Sequence, residues 1–176
     1  MINKIAFANR LKTFGIYQSA TTSQVSGCNT IIDAFFELGL NDLNQLAYIL
    51  ATVYHETAKK MQPVTEFGGE KYLRSKAYYP YYGRDLVQTT WKANYEKVKK
   101  FSGIDVVANP TLIGQMPLAA KVAVTFMQKG WYTGKKLSDF INDKEVNFVG
   151  ARRIINGTDK NTLIASYANS FVKCLI

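Results

Sequence analysis

Apolar residues recur at spacings of three and four along most of this chain, and the pattern fails only between Met61 and Arg84. That spacing lines one face of a helix and buries it, so the chain reads as packed helices around one irregular insertion. A short helix over Ile2 to Phe14 comes first. A second, over Ser23 to Leu38, turns Val25, Ile31, Ile32, Phe35 and Phe36 inward before Gly39 closes it. Asn41 can cap a third, whose stripe is Leu46, Ile49, Leu50 and Val53. Pro63, Gly68, Gly69, Pro80 and Gly83 then punctuate a tyrosine-crowded stretch that reads as loops or a small β-hairpin. Helix returns from about Leu86 to Phe101 on Val87, Trp91, Tyr95 and Val98. Past the turn at Asn109-Pro110 lies the most apolar helix, with Leu118, Val122, Phe126 and Met127 expected at the centre of the core. A shorter helix over roughly Lys144 to Ile155 stops at Asn156-Gly157, and the last runs from Asn161 to Leu175.

The 176 residues fit one domain, and 47% hydrophobic against 20% charged excludes a disordered chain. At this size about 70% of the unfolded surface can be buried, so neither a disulfide nor a metal is required for stability. Cys28 and Cys174 lack CxxC spacing and read as free thiols of a protein made in a reducing compartment. A single histidine, His55, cannot supply the two or more ligands of a catalytic zinc. No GxGxxG or GxxxxGK[ST] loop offers a nucleotide site, so no metal and no cofactor are expected. The longest apolar run, Leu46 to Ala51, falls far short of the ~20 residues of a membrane span. Lys4, Asn9, Arg10 and Lys12 replace the apolar core of a signal peptide, which predicts a soluble protein without a cleaved leader.

Lys and Arg number 22 against 13 Asp and Glu, a net charge of +9. That excess favours an anionic partner: nucleic acid, a membrane surface, or an acidic polymer such as a bacterial wall. A solvated face with no partner is the plain alternative. The lysines are scattered over several elements and no groove-reading motif occurs, which argues against nucleic acid.

Six glutamates carry the remaining chemistry: Glu37, Glu56, Glu66, Glu70, Glu96 and Glu145. Glu96 lies among Lys92, Lys97, Lys99 and Lys100 on a solvated face, and Glu145 suits a helix start. Glu56 differs, because at about 100° per residue it projects within about 20° of Ile49, on the buried stripe of its own helix. A carboxylate there is either paired with a cation, for instance Arg84 or Arg152, or kept desolvated and suited to act as a general acid. Glycoside cleavage commonly needs a second carboxyl, spaced roughly 6.5–9.5 Å away when the reaction inverts, and either Glu66 or Glu70 could fold back to it. Tyr78, Tyr79, Tyr81 and Tyr82 offer flat apolar faces with polar tips, as sugar rings require, although some of the four could belong to the core. Arg84 could orient a carboxylate or hold an anionic substituent. Thr90 and Asn94, at i and i+4 of the expected helix, could hold a water or an N-acetyl group, or equally bond the backbone.

The segments His55-Glu56-Thr57, Met61-Gln62-Pro63-Val64-Thr65-Glu66, Tyr82-Gly83-Arg84 and Gln88-Thr89-Thr90-Trp91 through Asn94-Tyr95 resemble glycoside hydrolase family 19. More narrowly, they are similar to its chitinase-like branch found as phage endolysins. Thr22 to Gly27 and Arg153 to Gly157 fit as well, so the resemblance covers about residues 20–172 of what reads as one catalytic domain, 1–176, with no separate wall-binding module. It implies a mainly α, lysozyme-like α+β fold with a cleft between two lobes. It also implies hydrolysis of a β-1,4 bond between N-acetylhexosamines, generally with inversion. Glu56 matches the family's general acid and Glu66 the base that activates water. Thr90 and Asn94 match a Ser/Thr and an Asn that position the water and the substrate. His55, Tyr81, Tyr82, Arg84, Gln88, Asn94 and Asn156 are then expected on the substrate side. The sequence departs from the family where Asp85 replaces a glycine, where Thr89 replaces an apolar residue, and after Asn156-Gly157, where a glycine and a later arginine are missing.

The leading expectation is therefore a peptidoglycan-cleaving phage endolysin. It would be a monomer attracted to an anionic wall, without stable membrane insertion, held in the host cytoplasm until a holin-type release. A chitinase would share its catalytic residues. A wall-binding or virion-associated module with a dead site is the alternative from another class, and the intact Glu56, Glu66, Thr90 and Asn94 argue against it. A cysteine peptidase built on Cys28 and His55 is disfavoured, since Cys28 falls inside an apolar helix.

Overall fold

Nine consecutive residues of the third helix, from Leu46 to Tyr54, are buried, so this helix meets protein on every side. The computed structural model describes residues 2–176, with the helices α1 (Lys4–Thr13), α2 (Thr22–Glu37), α3 (Leu43–Glu56), α4 (Glu70–Arg74), α5 (Lys92–Ser102), α6 (Met116–Lys129) and α7 (Asn161–Leu175). Helix α3 packs on α7, α2 and α6, while α1 lies against α7. Its cap is Asp42 rather than Asn41: the Asp42 carboxylate accepts from the Asn44 and Gln45 amides at 2.8 and 3.2 Å. A reciprocal capping box between Thr21 and Gln24 starts α2. No described helix is long and apolar enough to cross a membrane.

The fold is mainly α, as expected, and its apolar interior divides in two. The larger core gathers α1, α2, α3 and α7, while the smaller holds Tyr95 and Val98 of α5 with Val106, Ile113, Leu118, Val122 and Phe126. Helix α6 is the wall between them. It gives Leu118, Val122 and Phe126 to the smaller core, and Ala119, Ala120, Ala123, Val124 and Met127 to the larger. The four residues expected at one centre are thus shared between two.

Three local expectations are corrected. No β-hairpin forms between residues 61 and 84 among the described residues; the segment contains the short α4 and a two-rung backbone pairing. In that pairing the Val64 amide donates to the Asp85 carbonyl at 3.2 Å, and the Glu66 amide to the Gly83 carbonyl at 2.7 Å. The helix expected from Leu86 begins only at Lys92. One Asp85 carboxylate oxygen takes the amides of Val87 and Thr89 at 3.2 and 2.9 Å, which offers the backbone a local alternative to helix. Finally, the helix expected over Lys144 to Ile155 is a hairpin of β1 (Ile141–Asn142) and β2 (Glu145–Val146) followed by a 3₁₀ turn, Gly150–Ile154. The Asn142 side-chain oxygen accepts from the Lys144 and Glu145 amides and closes that hairpin.

Gly27 lets α2 approach the segment that leaves α3. A Cβ there would sit 1.9 Å from the backbone carbonyl oxygen of Met61, which cannot yield without moving the chain. Gly27→Ala is expected to cost about 1–3 kcal/mol by overpacking, measured as a lower urea midpoint at unchanged slope.

Candidate active site

Glu56 is the last residue of α3, and its side chain is 20% exposed at the end of a buried stripe. The cation it needs is Arg152, 3% exposed, whose Nη1 donates to Glu56 Oε1 at 2.6 Å. Arg152 stands on the 3₁₀ turn Gly150–Ile154 and also donates from Nε to the Asp159 carbonyl at 2.9 Å. Of the two arginines the sequence offers Glu56, the fold uses this one, and Glu56 Oε2 carries no hydrogen bond from any described residue. The cation comes from ahead of Asn156-Gly157, not from the downstream stretch where the sequence lacks an arginine. Breaking so buried a pair from one side leaves a charge without its partner. Arg152→Met is accordingly expected to lower stability by about 3 kcal/mol, read by urea denaturation.

Glu66 is held in a different way. Its amide donates to the Gly83 carbonyl, its Oε1 accepts from the Tyr78 hydroxyl at 2.6 Å, and its Oε2 accepts from the Gly83 amide at 3.3 Å. Both oxygens act as acceptors, as a base requires. Glu70 stands apart on α4, in an exposed pair with Arg74 at 2.7 Å. The bond to Glu66 pushes the Tyr78 phenol up to about 12, because losing its proton would place a second negative charge beside the carboxylate.

The surrounding residues are joined through the backbone. Arg84 Nη1 donates to the carbonyls of Pro80 and Tyr82 at 2.8 and 3.2 Å, and its guanidinium carbon lies 3.4 Å from the centre of the Tyr82 ring. Tyr95 donates its hydroxyl to the Tyr82 carbonyl at 2.6 Å. Gln88 donates from Nε2 to the Val64 carbonyl at 2.6 Å, two residues from Glu66. Thr90 is half-buried but lies outside α5, so it does not share a helical face with Asn94. Asn94 donates from Nδ2 to the Thr90 carbonyl at 2.9 Å and accepts from Lys97 at 3.1 Å. Tyr81 belongs to the wall of the smaller core, edge-on to Tyr95 with ring centres 5.1 Å apart. Trp91 stands edge-on to Tyr78 at 5.4 Å and is half exposed. Asn156 is exposed one turn beyond Arg152, to whose carbonyl its amide donates at 3.0 Å. His55 is half-buried and its ring makes no hydrogen bond to a described residue.

Burial pushes the Cys28 thiol up to about 12 and Cys174 to about 11, so neither is poised as a nucleophile.

No family model matches the chain. Chitinase C of Streptomyces griseus superposes with a TM-score of 0.65 at 21% identity, over 98% of this chain and 76% of that one. A bacterial family 19 chitinase superposes at 0.61 and 24% identity, over 99% and 94%. The chain has the family 19 chitinase fold. Two endochitinases of Arabidopsis thaliana add a sequence likeness, each 27% identical over 123 residues, which is 66% of this chain. That match spans only about two fifths of each relative, 41% and 40% of their lengths. On this chitinase-like frame Glu56 closes the buried central helix, and Glu66 sits on the irregular insertion beside it in sequence.

Residues outside the sequence-based set also shape the site. Tyr78 holds Glu66 and Arg152 holds Glu56. Tyr78 is one of four crowded tyrosines and nothing in its spacing distinguishes it, whereas Arg152 is one of the two arginines the sequence offered as a cation for Glu56. Ionisation of Tyr78 offers a check on the Glu66 bond. Followed through the phenol carbon in ¹³C-tyrosine NMR, the Tyr78 resonance should titrate near 12 in the wild type, as should that of Tyr95, which Tyr95→Phe removes from the spectrum. Glu66→Gln should bring the Tyr78 resonance down towards the ordinary tyrosine value of about 10.

Proposed function

We propose that this chain is a glycoside hydrolase that cuts β-1,4 bonds between N-acetylhexosamines of peptidoglycan by general acid/base catalysis. The observation that carries this reading is the unequal support of two carboxylates: Glu56 at the end of a buried helix against Arg152, and Glu66 on a loop between Tyr78 and Gly83. Glu56 keeps Oε1 on Arg152 and, when substrate enters, carries a proton on the uncommitted Oε2, which it delivers to the leaving glycosidic oxygen. Glu66 takes a proton from a water that attacks the anomeric carbon from the opposite face, and the sugar is released with inverted configuration. Thr90 and Asn94 hold that water and the substrate, with His55, Tyr81, Tyr82, Arg84, Gln88 and Asn156 lining the sugar path.

The charge of +9 supports an anionic wall as substrate. In this reading the protein is a monomeric phage endolysin, made in the cytoplasm of a bacterial host and reaching the wall after holin-type release. It binds neither nucleic acid nor membrane stably. A chitinase is the second reading, favoured by the relatives, which are named as chitinases.

Digestion of purified peptidoglycan and of chitin oligomers, with products weighed by mass spectrometry, separates these readings. New reducing ends from peptidoglycan are expected with the wild type, and at least ~100-fold fewer with Glu56→Gln, the size of a lost general acid. Cutting of chitin alone would make it a chitinase. Failure on both polymers would make it a binding module, and equal cutting by both proteins would remove Glu56 from the mechanism.

A further inference from the structure

The two residues at which the central motif departs from the family, Asp85 and Thr89, are bonded to each other. The Asp85 carboxylate is fully buried and forms no ion pair among the described residues. One oxygen accepts the amides of Val87 and Thr89, and the other accepts the Thr89 hydroxyl at 2.6 Å. The Thr89 oxygen lies 3.0 Å from the hydroxyl of Tyr132. With Asp85 ionised, Thr89 gives it its one hydroxyl proton, and the proton between Thr89 and Tyr132 then comes from Tyr132. The result is a chain of donors running inward, Tyr132 to Thr89 to Asp85.

Its two ends reach different parts of the molecule. Tyr132 follows α6 and packs against both apolar cores, with its ring 5.0 Å from that of Phe126. Burial, with the nearby Asp85 charge adding to it, holds its phenol far above the ordinary range. Thr89 lies between Gln88 and Thr90. Gln88 reaches Val64 and also abuts Gly83, where a Cβ would meet the Gln88 side-chain oxygen at 2.4 Å, and the Gly83 amide holds Glu66. Gln88 and Trp91 both have positive φ, 59° and 74°, so the segment between them cannot rely on regular hydrogen bonding to keep its shape.

We propose that Asp85, Thr89 and Tyr132 act together as positioning residues, fixing the segment that presents Gln88 and Thr90 to the catalytic carboxylates. Thr89 points inward to the relay while its neighbour Thr90 is left half-buried at the surface.

This inference rests on the glycosidase reading, and the test keeps the two apart. Tyr132→Phe, Thr89→Val, Thr89→Ser and the Tyr132→Phe/Thr89→Val double variant are assayed on peptidoglycan and chitin oligomers, with Glu56→Gln as control. Tyr132→Phe removes only a hydroxyl and serves even if Thr89→Val fails to fold. It is expected to lower kcat about tenfold with KM within about twofold. Thr89→Val should do the same, the double variant should lose no more than either single one, and Thr89→Ser should recover most of the kcat. An unchanged kcat in Tyr132→Phe overturns the proposal, as does a change in KM alone or a double variant whose losses multiply. If the wild type cuts and Glu56→Gln does not, such a result sinks this inference alone; if the wild type cuts neither polymer, both readings fall.

Discussion

The pair between Glu56 and Arg152 is the interaction on which the site depends. Helix α3 is buried almost to its end, and a carboxylate on that stripe is tolerated because a buried guanidinium meets it at 2.6 Å. The pair does more than neutralise a charge. It ties the C-terminal turn of the central helix to the 3₁₀ turn Gly150–Ile154, and the second bond of Arg152, to the Asp159 carbonyl, ties that turn to the approach of α7. Helices α3 and α7 already pack along their apolar faces. The ion pair sets where that packing stops and leaves one oxygen of Glu56 uncommitted.

The helices were legible because burial imposed a period on them. Helix α7 runs from Asn161 to Leu175 as the pattern predicts, α1 and α2 lie within two residues of the expected bounds, and α3 carries the expected stripe. What the pattern hides is how the apolar surface is shared. Leu118, Val122 and Phe126 look no different from Ala119, Ala123 and Met127 as a stripe, but a helix packed on both sides gives one face to each core. The errors fall where short polar side chains capture backbone amides. Asp85 turns Val87 and Thr89 away from the helix that Val87 and Trp91 would otherwise continue, and Asn142 does the same for Lys144 and Glu145. Periodicity counts apolar positions and is blind to such bonds.

The site was legible in its parts more than in its joints. Glu56 stood out by angle alone, and its cation was narrowed to two arginines without being decided. Arg84 spends its Nη1 on the Pro80 and Tyr82 carbonyls of its own loop, which leaves Arg152 as the partner. The choice between Glu66 and Glu70 could not be made from spacing, because ten or fourteen residues of loop can return to one place with little difference in closure entropy. Tertiary bonds distinguish them: Glu66 is gripped by Tyr78 and Gly83, while Glu70 faces solvent beside Arg74. Thr90 and Asn94 meet through the Thr90 backbone carbonyl rather than through two side chains on one helical face.

The two carboxylates solve opposite problems, and their supports differ accordingly. Glu56 sits where the protein is rigid, at the end of a helix with protein on all sides, so its position follows from packing and its charge from one buried partner. Glu66 sits on a segment with almost no regular structure, so its position must come from bonds made one at a time: a carbonyl and an amide of Gly83, and the hydroxyl of Tyr78. Gly83 can serve because it lacks a Cβ, which would strike Gln88. The same residue therefore binds the carboxylate and admits the glutamine that spans back to Val64. An irregular loop can hold a carboxylate in a fixed place only if its few bonds converge in this way, and here they converge on the two-rung pairing of residues 64–66 with 83–85. Asp85 closes that pairing with its main-chain carbonyl and anchors Thr89 with its buried carboxylate, so the loop that carries Glu66 and the segment that carries Thr90 share one residue as their common support.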